Sequence, residues 1–441
     1  MNFLKKIFFP TILVISFLLL IYTFYRSEIF WGGSKRGYYL TYYFISLILI
    51  FVSTFAFFIN QKLKEYLIIS SISIVASLYL FEGYLIFKTQ HSKIIGQSLK
   101  EQLYEKQTGN KWDRRSKLEI YKDLKKVNNE IVIKVPPHNH TSNKYSIHPL
   151  SGISNSKTIY CNENGYYSID LIDRYGFNNP DTEWDKKEIE YLFIGDSYTH
   201  GACVNRPNDI GSVLRSISNK SVLNLGQPGN GPLMQYATLR EYLSSNVKKV
   251  IWVYYEGNDL KDLEFEKKKN ILTNYLEDVN FTQNLKSKQN EINYLAINLI
   301  KEKEKKRENG NDEEKEKFKY KLFKFIQILS TRQLILPETA PPPELKKILQ
   351  LTKELIEKNN LKLYFVYLPK YDRYKFSYDN TNYNLIKVIV TELNIPFIDM
   401  HNEVFKKEQN PLKLFPFEMF GHYNIEGYKK VAETIYKFTK D

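Results

Sequence analysis

Three stretches near the N-terminus contain no Asp, Glu, Lys or Arg: residues 7–25, 37–61 and 66–81, the last continuing past Glu82 to residue 87. Such runs leave a chain few choices. Crossing the hydrocarbon core of a bilayer as a helix takes about 20 mostly apolar residues, and there every backbone polar group must find an internal partner. Three buried helices of a soluble core are the alternative, but they would need a large partner domain covering them on every side. No small-residue cleavage site follows the first run and two more runs do, so an anchor of three transmembrane helices over residues 1–87 is expected rather than a signal peptide. Glu82 is the one carboxylate inside these runs. An intramembrane acid is a functional candidate by default, but this one lies close to the end of its span, within reach of the interface, which favours a structural role. With three spans the N-terminus and the large domain lie on opposite sides. Lys5, Lys6, Lys62 and Lys64 then oppose Arg26, Lys35, Arg36 and the lysines after residue 87. That count slightly disfavours export, although large translocated domains weigh little in the positive-inside rule.

The net charge of +14 raises the question of nucleic acid, but half of it lies in the first hundred residues. The remainder is diffuse and no nucleic-acid motif accompanies it, so no nucleic-acid partner is expected. A mild attraction to anionic lipid or acidic glycan is the consequence of such a balance. Cys161 and Cys203 are the only cysteines. A disulfide between them would belong to an oxidising compartment such as a periplasm; two separate buried thiols would not, and spacing leaves both open.

Residues 88–150 read as a helical stalk and linker, charged and with Leu99, Leu103, Leu118, Ile120, Tyr121 and Leu124 at helical spacing. Pro136-Pro137-His138-Asn139-His140 reads as a solvated turn; its two histidines have no Cys, Asp or Glu beside them, so no metal site is expected. Asn178 and Asn179, near a turn before residue 180, are explained by turn chemistry. From residue 191 onward the pattern changes to apolar runs (191–194, 222–225, 250–255, 361–368 and 396–398) separated by helical segments such as 232–245 and 343–358. This alternation predicts an α/β domain with a parallel sheet, right-handed crossovers and helices on both faces. Residues 261–339 are too long for an ordinary connection and rich in Lys and Glu over 301–317, so they read as a charged helical insertion. Its middle is expected around Asn309-Gly310-Asn311, and it is a candidate cap over the site.

Four short blocks carry chemistry. Gly195-Asp196-Ser197 follows the first apolar run and delivers a serine past the end of a central strand, near a helix N-terminus that favours developing negative charge. By itself this is a strand followed by a helix cap. Asn224-Leu225-Gly226-Gln227-Pro228-Gly229 ends the second run, Glu256-Gly257-Asn258-Asp259 the third, and Gly421-His422-Tyr423-Asn424 precedes the final helical segment. In this order the blocks resemble those of the SGNH/GDSL hydrolase superfamily, over roughly residues 191–441. The resemblance implies a flavodoxin-like three-layer SGNH domain with a five-stranded parallel sheet, here spanning residues 151–441.

It also implies the roles of the site residues. Ser197 is the nucleophile and His422 the base that takes its proton and returns it to the leaving alcohol. The oxyanion donors are the backbone N–H of Ser197, the backbone N–H of Gly229 (placed there by its distance from Asn224, in preference to Gly226) and the side-chain amide of Asn258. Asp196 and Asp259 are structural. The family's aspartate three residues before the histidine is replaced by Met419. The candidates for an orienting acid are Glu418 and Asp399, neither at the expected spacing. A Ser-His dyad aided by a backbone carbonyl, a carboxylate from elsewhere, and weakened catalysis all stay open.

The leading expectation is therefore a membrane-anchored serine ester hydrolase acting through an acyl-enzyme on acyl esters of envelope glycans or lipids, on the outer face of an inner membrane, with no cofactor or metal. The first alternative is an O-acyltransferase that modifies an envelope polysaccharide with the help of a separate membrane acyl-donor partner. The second is a catalytically silent glycan-binding or assembly module, because a fold does not guarantee its chemistry.

Overall fold

The computed structural model describes residues 2–33, 35–140, 146–308, 312–336 and 340–440. The chain divides into two compact units, Met1–Ile95 with Asn309–Pro341, and Gly96–Glu308 with Pro342–Asp441. The expected middle of the insertion, residues 309–311, lies outside the described residues.

In the first unit, α1 (Asn2–Phe24), extended by a π-helical turn over Tyr25–Phe30, is followed by α2 (Arg36–Phe55) and α3 (Gln61–Thr108). All three are long and apolar enough to cross a membrane. Ser16 donates to the carbonyl of Ile12 and Ser46 to that of Tyr42, each at 2.7 Å within its own helix, which suits a medium that offers no water. No helix break marks the end of the third span; α3 runs on for 48 residues, so the span and the start of the stalk are one helix. The second part of the insertion groups with these helices. The Glu82 carboxylate is fully buried and accepts the backbone N–H groups of Ser330 (3.0 Å) and Thr331 (2.8 Å), together with the Thr331 hydroxyl (2.8 Å), at the start of the helix Leu329–Ile335. Its role is to dock that segment, in line with a structural reading.

The second unit contains two sheets. The smaller has β1 (Ile131–Ile133), β2 (Lys157–Ile159) and β3 (Ile169–Leu171), with β1 and β2 parallel and β2 and β3 antiparallel. The larger has β4 (Ile189–Gly195), β5 (Val222–Asn224), β6 (Val247–Tyr255), β7 (Lys362–Leu368) and β8 (Phe397–Asp399), all parallel, in the order β5-β4-β6-β7-β8. This is a doubly wound α/β arrangement. Its strand order reverses beside β4, the place where open sheets of this kind receive ligands.

Burial on both faces explains why the strands read as unbroken apolar runs. Along β4, Tyr191 and Phe193 pack with Ile210 and Leu214 of the helix Ile210–Ser218 and with Tyr428, Val431 and Ile435 of the final helix Ile425–Thr439. Leu192 and Ile194 face the other way, onto Leu233 and Ala237 of the helix Pro232–Tyr242 and onto Leu345 and Leu349 of the helix Pro343–Lys358. Each such side chain contributes about 1.5–3 kcal/mol by burial, so core packing on both sides sets the position of β4 and of the turn at its carboxyl end.

Candidate active site

Ser197 begins a short helix, Ser197–His200, directly past β4. The turn needs glycine at 195: a Cβ there would stand 2.0 Å from the Thr199 hydroxyl and 2.7 Å from the carbonyl of Val253. Asp196 caps the turn by accepting the backbone N–H of Tyr198 at 2.8 Å. It is completely buried, and burial pushes its carboxyl up to about 6. Asp259 is buried as well, accepting the N–H of Tyr255 at 3.2 Å and the Gln235 amide at 3.3 Å. Both aspartates tie strand-end turns together.

His422 arrives from the other end of the chain, two residues before Asn424, whose side chain caps the final helix by accepting the N–H of Gly427 at 2.9 Å. The loop that carries it is pinned through Tyr198: that hydroxyl donates to the carbonyl of Gly421 at 3.3 Å, and the ring lies 4.8 Å from the His422 ring and stacks on Tyr255 at 4.0 Å. The imidazole Nε2 stands 2.9 Å from the Ser197 hydroxyl oxygen. Residues 225 positions apart in sequence thus meet at one rim of the sheet.

The other ring nitrogen meets Glu163. One of its oxygens stands 3.0 Å from His422 Nδ1, and the other accepts the His422 backbone N–H at 2.6 Å. Glycine at 421 permits this approach, since a Cβ there would sit 2.7 Å from the carboxylate. With the imidazole proton on Nδ1 and given to Glu163, Nε2 is free to accept the Ser197 hydroxyl proton. Burial pulls the His422 pKa down, but the charge of Glu163 and its hydrogen bond more than reverse this, so the net shift is upward. For Glu163, burial pushes upward and the His422 charge and hydrogen bonds prevail, holding the carboxyl below its ordinary value.

This corrects the expectation for the orienting acid. Glu418 accepts the Asn410 amide at 3.0 Å, and Asp399 accepts the Asn402 amide at 2.7 Å and the Tyr383 hydroxyl at 2.5 Å; each is occupied away from His422. Nor is a backbone carbonyl the partner of Nδ1, as the dyad alternative required. Met419, in place of the family's aspartate, lies against Gly96. Glu163 precedes β4 in the chain and belongs to none of the four blocks, so motif spacing could not find it. One signal existed: a Cys161–Cys203 bond, had it been assumed, would have put residue 163 within a few residues of the nucleophile turn. The two cysteines are in fact disulfide-bonded. Cys203 Sγ is 3.8 Å from His422 Nδ1. Glu163, Cys203 and His422 are close enough together to suggest metal ligands, but the sulfur is already bonded to Cys161 and offers no thiolate.

Of the two remaining oxyanion candidates, Asn258 follows β6 and its amide donates to Asp262 at 2.5 Å, leaving one N–H of the amide for another acceptor. Burial raises Asp262 to about 7. Gly229 follows β5 and is covered by the imidazole of His138. The segment read as a solvated turn is therefore partly internal: Pro137 and His140 are buried. Asn178 and Asn179 are buried linkers, Asn178 donating to the carbonyl of His200 at 2.9 Å and Asn179 bridging Asp173 and the carbonyl of Asn224 at 2.9 Å each.

No family model matches this chain, and no curated protein matches it. Among solved structures it is similar to a protein described as lipolytic, of the G-D-S-L family, from Desulfitobacterium hafniense DCB-2, with 17% identity over 57% of this chain and 99% of that one and a TM-score of 0.30. It is also similar to an acetyl xylan esterase designated AlAXEase, with 15% identity over 57% of this chain and 99% of that one and a TM-score of 0.32.

Proposed function

We propose that this chain is a membrane-anchored serine ester hydrolase of the SGNH/GDSL type. The observation that carries the reading is His422 held between the Ser197 hydroxyl and the Glu163 carboxylate. In this reading the Ser197 oxygen attacks an ester carbonyl while Nε2 of His422 takes its proton, and Glu163 stabilises the imidazolium that results. The tetrahedral oxyanion is met by the backbone N–H of Ser197, at the start of its helix, by the N–H of Gly229 and by the free N–H of Asn258. Collapse returns the proton from Nε2 to the leaving alcohol and leaves an acyl group on Ser197. Water activated by the same imidazole then releases the acid.

The substrates proposed are acyl esters of envelope glycans or lipids, met at a membrane surface. Three apolar helices support the surface. The disulfide beside the site supports an oxidising, outer-face compartment. The test is labelling with a fluorophosphonate probe, together with release of acid from p-nitrophenyl acetate. Labelling of the wild type, its loss in Ser197→Ala, and acid release without transfer to an added sugar are the expected results. Transfer of the acetyl group to the sugar would make the chain an O-acyltransferase instead, and absence of Ser197-dependent labelling in folded protein would make it a silent binding module.

A further inference from the structure

Glu163 reaches His422 from a part of the molecule that the large sheet does not control. It sits in the turn between β2 and β3, strands of three residues each in the smaller sheet. Inside the turn, Ser168 N–H donates to the carbonyl of Cys161 at 2.9 Å, and Gly165 N–H donates to the Asn162 side chain at 3.0 Å. Several ties connect it to its surroundings. The Asn162 amide donates to the carbonyl of Asp113 at 2.9 Å, the Asp113 N–H donates back to the carbonyl of Gly165 at 2.9 Å, the Tyr167 hydroxyl donates to the carbonyl of Arg115 at 2.9 Å, the Asn164 amide donates to the carbonyl of Cys203 at 2.8 Å, and Cys161 is bonded covalently to Cys203. The last two end on Cys203, beside the nucleophile turn. That residue lies just past Gly201, which closes the Ser197–His200 helix, and has a left-handed backbone (φ +65°).

We propose that the Cys161–Cys203 disulfide is a positioning device for catalysis: it clamps the Glu163 turn to the nucleophile turn, and its reduction withdraws the carboxylate from His422 and switches the site down. This rests on the reading of Ser197, His422 and Glu163 as the reacting set. Reduction by an external dithiol breaks the S–S bond, delivers two electrons and two protons to the two sulfurs, and leaves the reductant as its own disulfide. The freed turn then keeps only hydrogen bonds to its surroundings, and the ordering entropy that the covalent bond had removed returns. The released Cys203 thiol, already within 4 Å of Nδ1, takes the place of a charged acceptor with a weak neutral one, so the imidazolium loses its stabilising charge.

The experiment measures the second-order rate of fluorophosphonate labelling in four samples of the full chain. These are the oxidised wild type, the wild type reduced with dithiothreitol and read before and after reoxidation, Glu163→Gln, and Glu163→Gln with the same treatment. Circular dichroism accompanies each. Reduction is expected to slow the wild type by about tenfold or more, up to the loss caused by Glu163→Gln itself. Reoxidation should restore the rate, and in Glu163→Gln reduction should change it by no more than about twofold, because two changes that act through one group do not add. A Cys161→Ser/Cys203→Ser double variant is expected to behave as the reduced wild type. An equal fold loss in both backgrounds would show the bond acting through general stability and overturn the proposal, as would no loss on reduction. Failure of the underlying reading is distinct: Glu163→Gln would then match the wild type before any reductant is added.

Discussion

The two nitrogens of His422 face regions built on different principles. On the Nε2 side, Ser197 hangs from the end of β4, a strand buried on both faces and hydrogen-bonded on both edges. On the Nδ1 side, Glu163 projects from a turn between three-residue strands and is fixed by a few hydrogen bonds, one of them from the Asp113 backbone N–H to the Gly165 carbonyl, and by one disulfide. Packing holds Ser197; cross-links hold Glu163. The first kind of support fails only with the fold. The second can fail by itself, because a few bonds can be removed while the core stays intact. If these residues are the reacting set, as proposed, the set divides into a part that solution conditions switch and a part that they do not.

The largest expected effect tests the packed side. Ser197→Ala should abolish fluorophosphonate labelling and lower turnover of p-nitrophenyl acetate by about 10⁴-fold or more; labelling that survives would place the nucleophile elsewhere. Next comes the cross-linked side. Glu163→Gln should lower kcat/KM by roughly 10³–10⁴-fold with KM little changed, because the imidazole loses the charge that stabilises it and the acceptor that sets its tautomer. Asn258→Ala should cost about 10²–10³-fold in kcat. A smaller loss there would remove Asn258 from the oxyanion site and leave its bond to Asp262 as its role. At the low end, Glu418→Gln and Asp399→Asn should leave kcat/KM within about threefold of the wild type, as expected for residues outside the reacting set. A large loss at either would dissolve the contrast between the two sides, since both lie in the sheet unit and neither touches His422.

Much of the packed side was legible in the chain itself. Strands buried on both faces must be apolar without interruption, so all five appear as runs, with observed ends within about three residues of the sequence reading. Gly195, Asn224 and Asn258 stand at or just past the ends of those strands, and His422 just before the final helix. Glu163 was not legible. A carboxylate brought in by a turn of a small, partly exposed sheet leaves no periodic trace, and the disulfide that bonds this turn to Cys203 is one that two cysteines permit but do not require. The replacement at Met419 showed that an acid was missing without showing where it comes from. The division of the insertion also escaped the sequence, because its Lys- and Glu-rich run reads the same on any solvated helix; contacts such as those of Glu82 with Ser330 and Thr331, Tyr79 with Ile326 and Tyr38 with Arg332 tie its second half to the apolar helices.

The measurement closest to the heart of the account is the pH dependence of Ser197 labelling in the wild type and in Glu163→Gln. The base must be neutral to act, and Glu163 holds the His422 pKa above its ordinary value. The wild-type rate should therefore fall on acidification with a midpoint above about 6.5. In Glu163→Gln the remaining influence of burial pulls the imidazole down, so the same limb should move to lower pH while the plateau rate drops. Superimposable profiles with equal plateaus would contradict the account, because the carboxylate would then have no hold on the base.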